Sequence, residues 1–159
     1  MGNAADPSSI RSAGPDEAGA VAALVRAAFA PFAPRIGREP APMGADYPAL
    51  CAQGAVHVAE SGDRLAGAIV AYPKAGWLHV ETVAAAAPRR GVGRALMGWA
   101  QAEAARLGLA GVELYTNAAM TEALAFYDAL GFERLGRRRE AGYERVYFRK
   151  EAGGCPETS

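Results

Sequence analysis

Residues 89–96 have the composition of an anion-binding loop. They read Arg-Arg-Gly-Val-Gly-Arg-Ala-Leu and precede an apolar-striped segment with helical spacing. Glycines allow the chain to turn tightly and let an anion approach the main chain. The first N–H groups of a helix lack partners within the helix, and the helix dipole favours negative charge there. The segment therefore predicts a cradle for a phosphate or pyrophosphate group.

Two other phosphate-binding motifs do not fit this loop. No Gly-Lys-Ser/Thr follows, so it is not a Walker loop, and no third glycine stands three residues after Gly93, as a dinucleotide fingerprint requires. A Gly-x-Gly pair by itself is more typical of a glycine-rich helix start. A nucleotide-binding module that holds another phosphate ligand on this loop remains an alternative, and the missing Lys-Ser/Thr weighs against it.

The predicted strand before the loop carries the candidates for acid–base chemistry. Side chains alternate across a strand, so Trp77, His79, Glu81 and Val83 share one face. Burying an unpaired carboxylate is costly, and we therefore expect Glu81 to face a cavity or a partner. Glu81 and His79 are the candidate general bases, although His79 is more typical of a hydrogen-bonded structural histidine. The opposite face carries Leu78, Val80 and Thr82.

Periodicity and turn residues predict the elements that position these groups. A run of strands is followed by strand–helix–strand–helix–strand, which favours a mixed α/β (α+β) sheet with helices on both faces. A long ordered loop with several prolines is predicted between the first helix and residue 47. The predicted strands cover residues 10–13, 55–60, 65–72, 77–83, 112–116, 132–138 and 145–150. The first predicted helix begins near Pro15, and three further helices are predicted over residues 46–52, 93–107 and 121–130.

Composition narrows the class of protein. The chain has 159 residues, with 17 Lys and Arg against 17 Asp and Glu, and a zero net charge weighs against a nucleic-acid partner. We see no signal peptide and no uninterrupted apolar run of membrane-spanning length, so no membrane partner is expected. Cys51 and Cys155 are expected to be free thiols in a reducing cytoplasm, and no metal site is expected. One domain is predicted over residues 9–150, with a disordered segment 1–8 and a flexible tail 151–159.

A second motif, taken together with the glycine loop, points to one protein family. Residues 125–132 read Ala-Phe-Tyr-Asp-Ala-Leu-Gly-Phe. Together with the glycine loop and the order of the elements, this motif resembles the GNAT superfamily of acyl-CoA-dependent N-acyltransferases, over about residues 10–150. The resemblance implies a mixed, largely antiparallel sheet of six to seven strands flanked by about four helices. It also implies acetyl-CoA as co-substrate, with its pyrophosphate on the glycine loop.

The resemblance also implies roles for individual residues. Tyr127 matches the family's general acid near the departing sulfur, with core packing as the alternative role. The pantetheine arm would lie along the strand through backbone groups of Thr82, Val83 and Ala85. The remaining residues assigned to the cofactor are Arg89, Arg90, Gly91, Val92, Gly93, Arg94 and Asn117.

Two positions depart from the family pattern. Pro88 stands where members usually carry Gln or Arg, three residues before the first glycine of the pair. Either Arg89 takes that role in a loop one residue shorter, or backbone N–H groups alone form the cradle, which we favour. Met120 stands where the family often has Asn, seven residues before the tyrosine, and Asn117 lies nearby but out of register.

The acceptor end is less determined by the sequence. The resemblance places residues 35–43 and Tyr143 at the acceptor pocket, where Arg35 or Arg38 could hold a substrate carboxylate as a bidentate pair. A surface arginine is the alternative for each. We predict transfer of an acetyl group to a primary amine of a small molecule or peptide, by direct attack in a ternary complex. A non-catalytic acyl-CoA-binding sensor is the alternative, and the family's frequent dimers leave a homodimer open.

Overall fold

A computed structural model describes residues 9–87 and 90–152, and these residues form seven strands and five α-helices. Pro88, Arg89, the expected N-terminal segment and residues 153–159 of the expected tail, with Cys155, lie outside the described residues. The strands are β1 (Ile10–Ser12), β2 (Val56–Ser61), β3 (Arg64–Lys74), β4 (Trp77–Ala85), β5 (Gly111–Asn117), β6 (Glu133–Glu140) and β7 (Tyr143–Glu151). The helices are α1 (Ala18–Phe29), α2 (Ala33–Ile36), α3 (Tyr47–Ala52), α4 (Val92–Arg106) and α5 (Thr121–Ala129).

The strands form one mixed sheet in the order β1-β2-β3-β4-β5-β7-β6. The pair β4–β5 is parallel, with Leu78–Val80 opposite Val112–Leu114. The pairs β1–β2, β2–β3, β5–β7 and β6–β7 are antiparallel. A parallel pair needs a long crossover, and α4 lies in the segment between β4 and β5. The predicted fold class, a mostly antiparallel mixed sheet with about four helices, is confirmed.

The described chain divides into two compact units. The first comprises residues up to Ala71 together with Glu81–Trp99, and the second comprises Tyr72–Val80 together with residues from Ala100 onward. The first unit therefore contains α1 to α3, the start of α4 and the end of β4. The second contains α5 and the strands β5 to β7. The single domain over residues 9–150 stays a prediction.

The segment between α1 and α3 differs from the prediction of a long loop. It folds into successive short turns: a 3₁₀ turn at Ala30–Phe32, the single-turn helix α2, and a 3₁₀ turn at Ala41–Gly44. Each has a proline at its first or second position. Proline lacks an N–H, which is unpaired at a helix start in any case, and its fixed φ suits the first turn. The prolines of the predicted loop therefore start new turns.

The helical run Pro15–Ile36, which includes α1 and α2, is long and apolar enough to cross a membrane by length and composition alone. This property was missed because the sequence analysis looked for an uninterrupted apolar run. A helix that packs an apolar stripe on a protein core passes the same test. The stripe of α1 contains Val21 and Val25, and neither has exposed surface.

An ion pair holds the chain at the entry to α1. The Glu17 carboxylate accepts two hydrogen bonds from the Arg11 guanidinium, both of 2.8 Å, and one of 2.8 Å from the Gly14 N–H. The bonds to Arg11 and then the bond to Gly14 lower the pKa of Glu17 from its ordinary value of 4.5 to about 2. The charged carboxylate is therefore more favourable in the folded chain than in the unfolded one.

Replacement of Glu17 by glutamine is expected to make the free energy of unfolding less dependent on pH. A carboxyl whose pKa is lowered by folding stabilises the fold above its unfolded-state pKa, and this contribution is lost as the pH falls towards the folded-state value. The wild type should therefore exceed Glu17→Gln in unfolding free energy above about pH 4.5, with the difference shrinking towards pH 2. Urea unfolding at pH 7, 4 and 3 measures this, with Asp63→Asn in the exposed β2–β3 turn as control. A difference that is constant with pH would contradict it.

The second unit packs α5 onto one side of its strands. Phe148 of β7 is fully buried, and Phe132 lies just after the helix. Gly131 has a φ of 88°, the left-handed conformation that commonly ends a helix at glycine, as predicted. β6 is last in the strand order, and all of its residues except Glu140 are exposed, Leu135 among them at 50%. Its pairing with β7 is interrupted by a register shift between Arg134 and Gly136.

Candidate active site

The start of α4 has the backbone geometry of a helix that begins directly after a glycine turn. Gly91 has a φ of 80°, which favours glycine, and its carbonyl accepts the N–H of Ala95 at 3.0 Å. The N–H groups of Val92, Gly93 and Arg94 precede that first bond and have no acceptor within the helix. The side chains of Arg90 and Arg94 are exposed on either side of the turn. Backbone donors, the helix dipole and two guanidinium groups therefore all favour an anion here.

The end of β4 lies in the same unit. Thr82 is buried, at 4% exposure, and Glu81, Val83 and Ala85 are half-buried, so burial alternates as predicted from Val80 to Ala85, whereas His79 is buried as well. The Thr82 hydroxyl lies near the phenol of Tyr47, whose pKa it acts to lower.

Tyr47 of α3 is a residue that the sequence analysis missed. Its side chain is almost completely buried, and its hydroxyl donates a 2.6 Å hydrogen bond to the carbonyl oxygen of Pro42. Burial, and then the negative charge of Glu81, raise the pKa of Tyr47 to about 12, while the Arg26 guanidinium and the Thr82 hydroxyl act in the opposite direction. The Tyr47 phenol therefore keeps its proton at neutral pH, and the charge of Glu81 helps to hold it there. A lone tyrosine directly after the helix-capping Asp46 was the available signal.

The arginines predicted for the acceptor occupy exposed positions. Arg35 lies on α2 with its guanidinium 5.0 Å from the centre of the Phe32 ring, and Arg38 follows the helix. A different arginine contacts the turn before α3, since Arg26 Nε donates to the Met43 carbonyl at 3.3 Å. The acceptor roles of Arg35 and Arg38 stay predictions. Arg26 of α1 is a third cation, and it contacts the segment between α1 and α3.

His79 lies in the second unit, enclosed by other side chains. It is 4% exposed, and its Nδ1 lies 3.4 Å from the Glu113 carboxylate. The rings of Tyr72 and Tyr115 lie on either side, with centroid distances of 5.5 and 5.6 Å. This enclosure favours the structural alternative for His79, and Glu81 becomes the stronger candidate base.

The ring of Tyr127 packs against three phenylalanine rings. Its ring centre lies 5.1 Å from that of Phe126, 5.7 Å from that of Phe132 and 5.6 Å from that of Phe148. Burial raises the pKa of Tyr127 above its ordinary value, so the hydroxyl keeps its proton at neutral pH. The ring of Tyr127 therefore packs among aromatic side chains, and the role of its hydroxyl as a proton donor stays a prediction.

Two further predicted residues also lie in the second unit. Asn117 accepts a 2.8 Å hydrogen bond from the Ala119 N–H through its side-chain oxygen, which builds the turn before α5. This local use of the side chain explains an asparagine out of the family register. Tyr143 is half-buried at the start of β7, with the Arg145 guanidinium 5.5 Å from its ring centre. Within residues 9–87 and 90–152, no group of three His, Cys, Asp or Glu residues could hold a metal ion.

Comparison with known proteins assigns this arrangement to a family. A model of the acetyltransferase (GNAT) domain matches residues 52–134, which include the end of β4, the glycine loop and Tyr127. The chain belongs to the GNAT family. The GNAT match covers more than half of the sequence and confirms the resemblance inferred from the two motifs. No curated protein sequence matches the chain.

Solved GNAT structures share the fold. A PaiA N-acetyltransferase from Thermoplasma acidophilum, in complex with coenzyme A, is 13% identical with a TM-score of 0.75, over 89% of this chain and 98% of the other. A nourseothricin acetyltransferase is 28% identical with a TM-score of 0.57, over 61% of this chain and 64% of the other. A protein described as a streptothricin acetyltransferase of Bacillus anthracis, in complex with acetyl-coenzyme A, is 20% identical, TM-score 0.57, over 60% and 61%. This chain spans less than two thirds of the length of the last two.

Proposed function

We propose that this GNAT chain transfers the acetyl group of acetyl-CoA to a primary amine of a small molecule or peptide, by direct attack in a ternary complex. The observation that carries the proposal is the start of α4. Its first three N–H groups have no acceptor within the helix, they follow a left-handed glycine, and Arg90 and Arg94 nearby in the chain are exposed. A pyrophosphate matches this set of donors in charge and in hydrogen bonding. Family membership makes coenzyme A the pyrophosphate-bearing molecule of choice.

The proposed reaction assigns each proton to a group. The neutral amine attacks the thioester carbonyl carbon, and backbone N–H groups of Thr82 or Val83 stabilise the developing oxyanion. As the C–N bond forms and the C–S bond breaks, the amine proton passes to Glu81, directly or through water. Resemblance to the family assigns to Tyr127 the proton that the departing thiolate takes up.

The acceptor class is proposed from the named neighbours. Two of the solved structures carry the names of streptothricin and nourseothricin acetyltransferases. Antibiotic amines of that kind are therefore the first acceptors to try, followed by amino-acid-like amines and peptide N-termini. Arg26, Arg35 and Arg38 would suit acceptors that also carry a carboxylate.

Calorimetric titration with acetyl-CoA, coenzyme A and ATP tests the cofactor assignment. We expect acetyl-CoA and coenzyme A to bind and ATP not to bind. Thiol release during a screen of amines then tests turnover. Binding of ATP alone would favour the nucleotide-binding module, and tight acetyl-CoA binding without thiol release across the screen would favour the acyl-CoA sensor.

Replacement of Glu81 by glutamine should slow acetyl transfer most at low pH. The acceptor amine is then mainly protonated, and a general base is needed to supply the neutral nucleophile. General-base catalysis typically contributes about a hundredfold or more, so a loss of that order is expected at the acidic end. The kcat–pH profile measures it, with Glu133→Gln on exposed β6 as control. Parallel profiles for the wild type and Glu81→Gln would exclude Glu81 as the base.

A further inference from the structure

Gly67 on β3 lies directly beneath the start of α4. A Cβ atom at this position would lie 2.6 Å from Val92 Cγ1, 2.9 Å from the carbonyl oxygen of Ala84 and 3.1 Å from Leu96 Cδ1. Distances below 3.0 Å are essentially never seen for real Cβ atoms. The helix therefore packs against the bare backbone of β3, and glycine is the residue that leaves room for it.

The need for glycine here is one of space and not of backbone conformation. Gly67 is not among the residues with positive φ, so other residues could adopt its backbone angles. By contrast, Gly98 in the same helix α4 is exposed, and a Cβ there would meet nothing within 4 Å. The two glycines thus differ in their contacts, which makes Gly98 a matched control.

The contacts of Gly67 involve the residues that begin the helix. Val92 is the first residue of α4, and Leu96 lies one turn later on the same buried side. The adjacent backbone is fixed as well, because the Ala86 N–H donates a 2.8 Å hydrogen bond to the Ala66 carbonyl. The depth at which Val92 packs on β3 therefore also sets the position of its own N–H and of the next two.

We propose that Gly67 is a positioning residue for the anion cradle, holding the first turn of α4 at the depth where its N–H groups meet a pyrophosphate. The proposal rests on the proposed function. Ordinary contact begins at 3.4 Å, so a Cβ at position 67 would require Val92 Cγ1 to shift by about 0.8 Å. A shift of that size is comparable with the whole range of good N–H···O distances, about 2.7–3.2 Å.

Replacement of Gly67 by alanine is the direct test. We expect the Kd for coenzyme A to rise by at least about tenfold, the loss that follows when one hydrogen bond to a charged group is broken. The KM for the amine should change little at saturating acetyl-CoA. Gly98→Ala should leave both constants unchanged. Calorimetric titration, steady-state kinetics and thermal unfolding of each variant provide the readouts.

Removing the opposing methyl groups should restore part of the affinity. Val92→Ala deletes Cγ1, so coenzyme A should bind Gly67→Ala/Val92→Ala more tightly than Gly67→Ala. The Ala84 carbonyl still opposes the new Cβ, and the recovery should therefore be partial. If the single variant does not fold, the double variant compared with Val92→Ala alone provides the same test.

The outcomes separate this proposal from the proposed function. Absence of coenzyme A binding in the folded wild type would overturn the proposed function. Binding by the wild type with equal affinity in Gly67→Ala would overturn the positioning role alone, and so would a lower Tm with unchanged Kd. Weaker binding in Gly67→Ala together with recovery in the double variant supports the positioning role.

Discussion

Replacement of Gly93 by tryptophan is expected to abolish coenzyme A binding in a chain that still folds. Gly93 is the second residue of α4 and is half-buried. Side chains on a helix lean towards its N-terminus, so an indole at position 93 would cover the start of α4 and the first N–H groups of the helix. Calorimetric titration measures the loss of binding, and circular dichroism checks the fold.

Gly98→Trp is the matched control for this substitution. It adds the same side chain to the same helix, at an exposed position with open space around it. Coenzyme A should bind this variant as it binds the wild type. Equal affinity in Gly93→Trp and Gly98→Trp would mean that the anion is bound elsewhere on the chain.

Replacement of Tyr127 by phenylalanine should lower kcat by about a hundredfold, the usual contribution of a general acid, with little change in the Kd for acetyl-CoA. The ring would keep its contacts with Phe126, Phe132 and Phe148, so the fold should remain intact. Single-turnover kinetics and acetyl-CoA titration separate the chemical step from binding.

Tyr115→Phe provides the comparison, because it also removes one tyrosine hydroxyl from the second unit and leaves the ring in place. Its kcat should stay near that of the wild type. A wild-type rate in Tyr127→Phe would remove this hydroxyl from the mechanism. A loss in kcat that matches an equal loss in acetyl-CoA affinity would indicate a binding role.

Local patterns in the sequence predicted most of the fold and the helix start after the glycine pair. Alternation along β4, the helix-ending Gly131 and the glycine pair at 91 and 93 each act within a few residues of chain, which is why they could be recognised. The short turns before α3 were missed because the same proline both ends one helix and suits the start of the next.

Tyr47 and Gly67 could not be recognised from the sequence for a different reason. The pKa of Tyr47 depends on Glu81, and the space at Gly67 is limited by Ala84 and Val92. These partners are distant from Tyr47 and Gly67 along the chain. Such contacts leave no periodicity and no short motif. A buried tyrosine and a strand glycine have ordinary alternative explanations until the packing is known.

The exposed strand β6 has a consequence for how the protein behaves at high concentration. A flat strand at the end of a sheet is a template onto which another chain can add, the first step of β-aggregation. β6 carries the arginine run 137–139, paired with Glu140 and Glu144, and its ladder with β7 is broken by the shift near Gly136. Charge and irregular pairing are the devices that make such an edge a poor template for the addition of another chain.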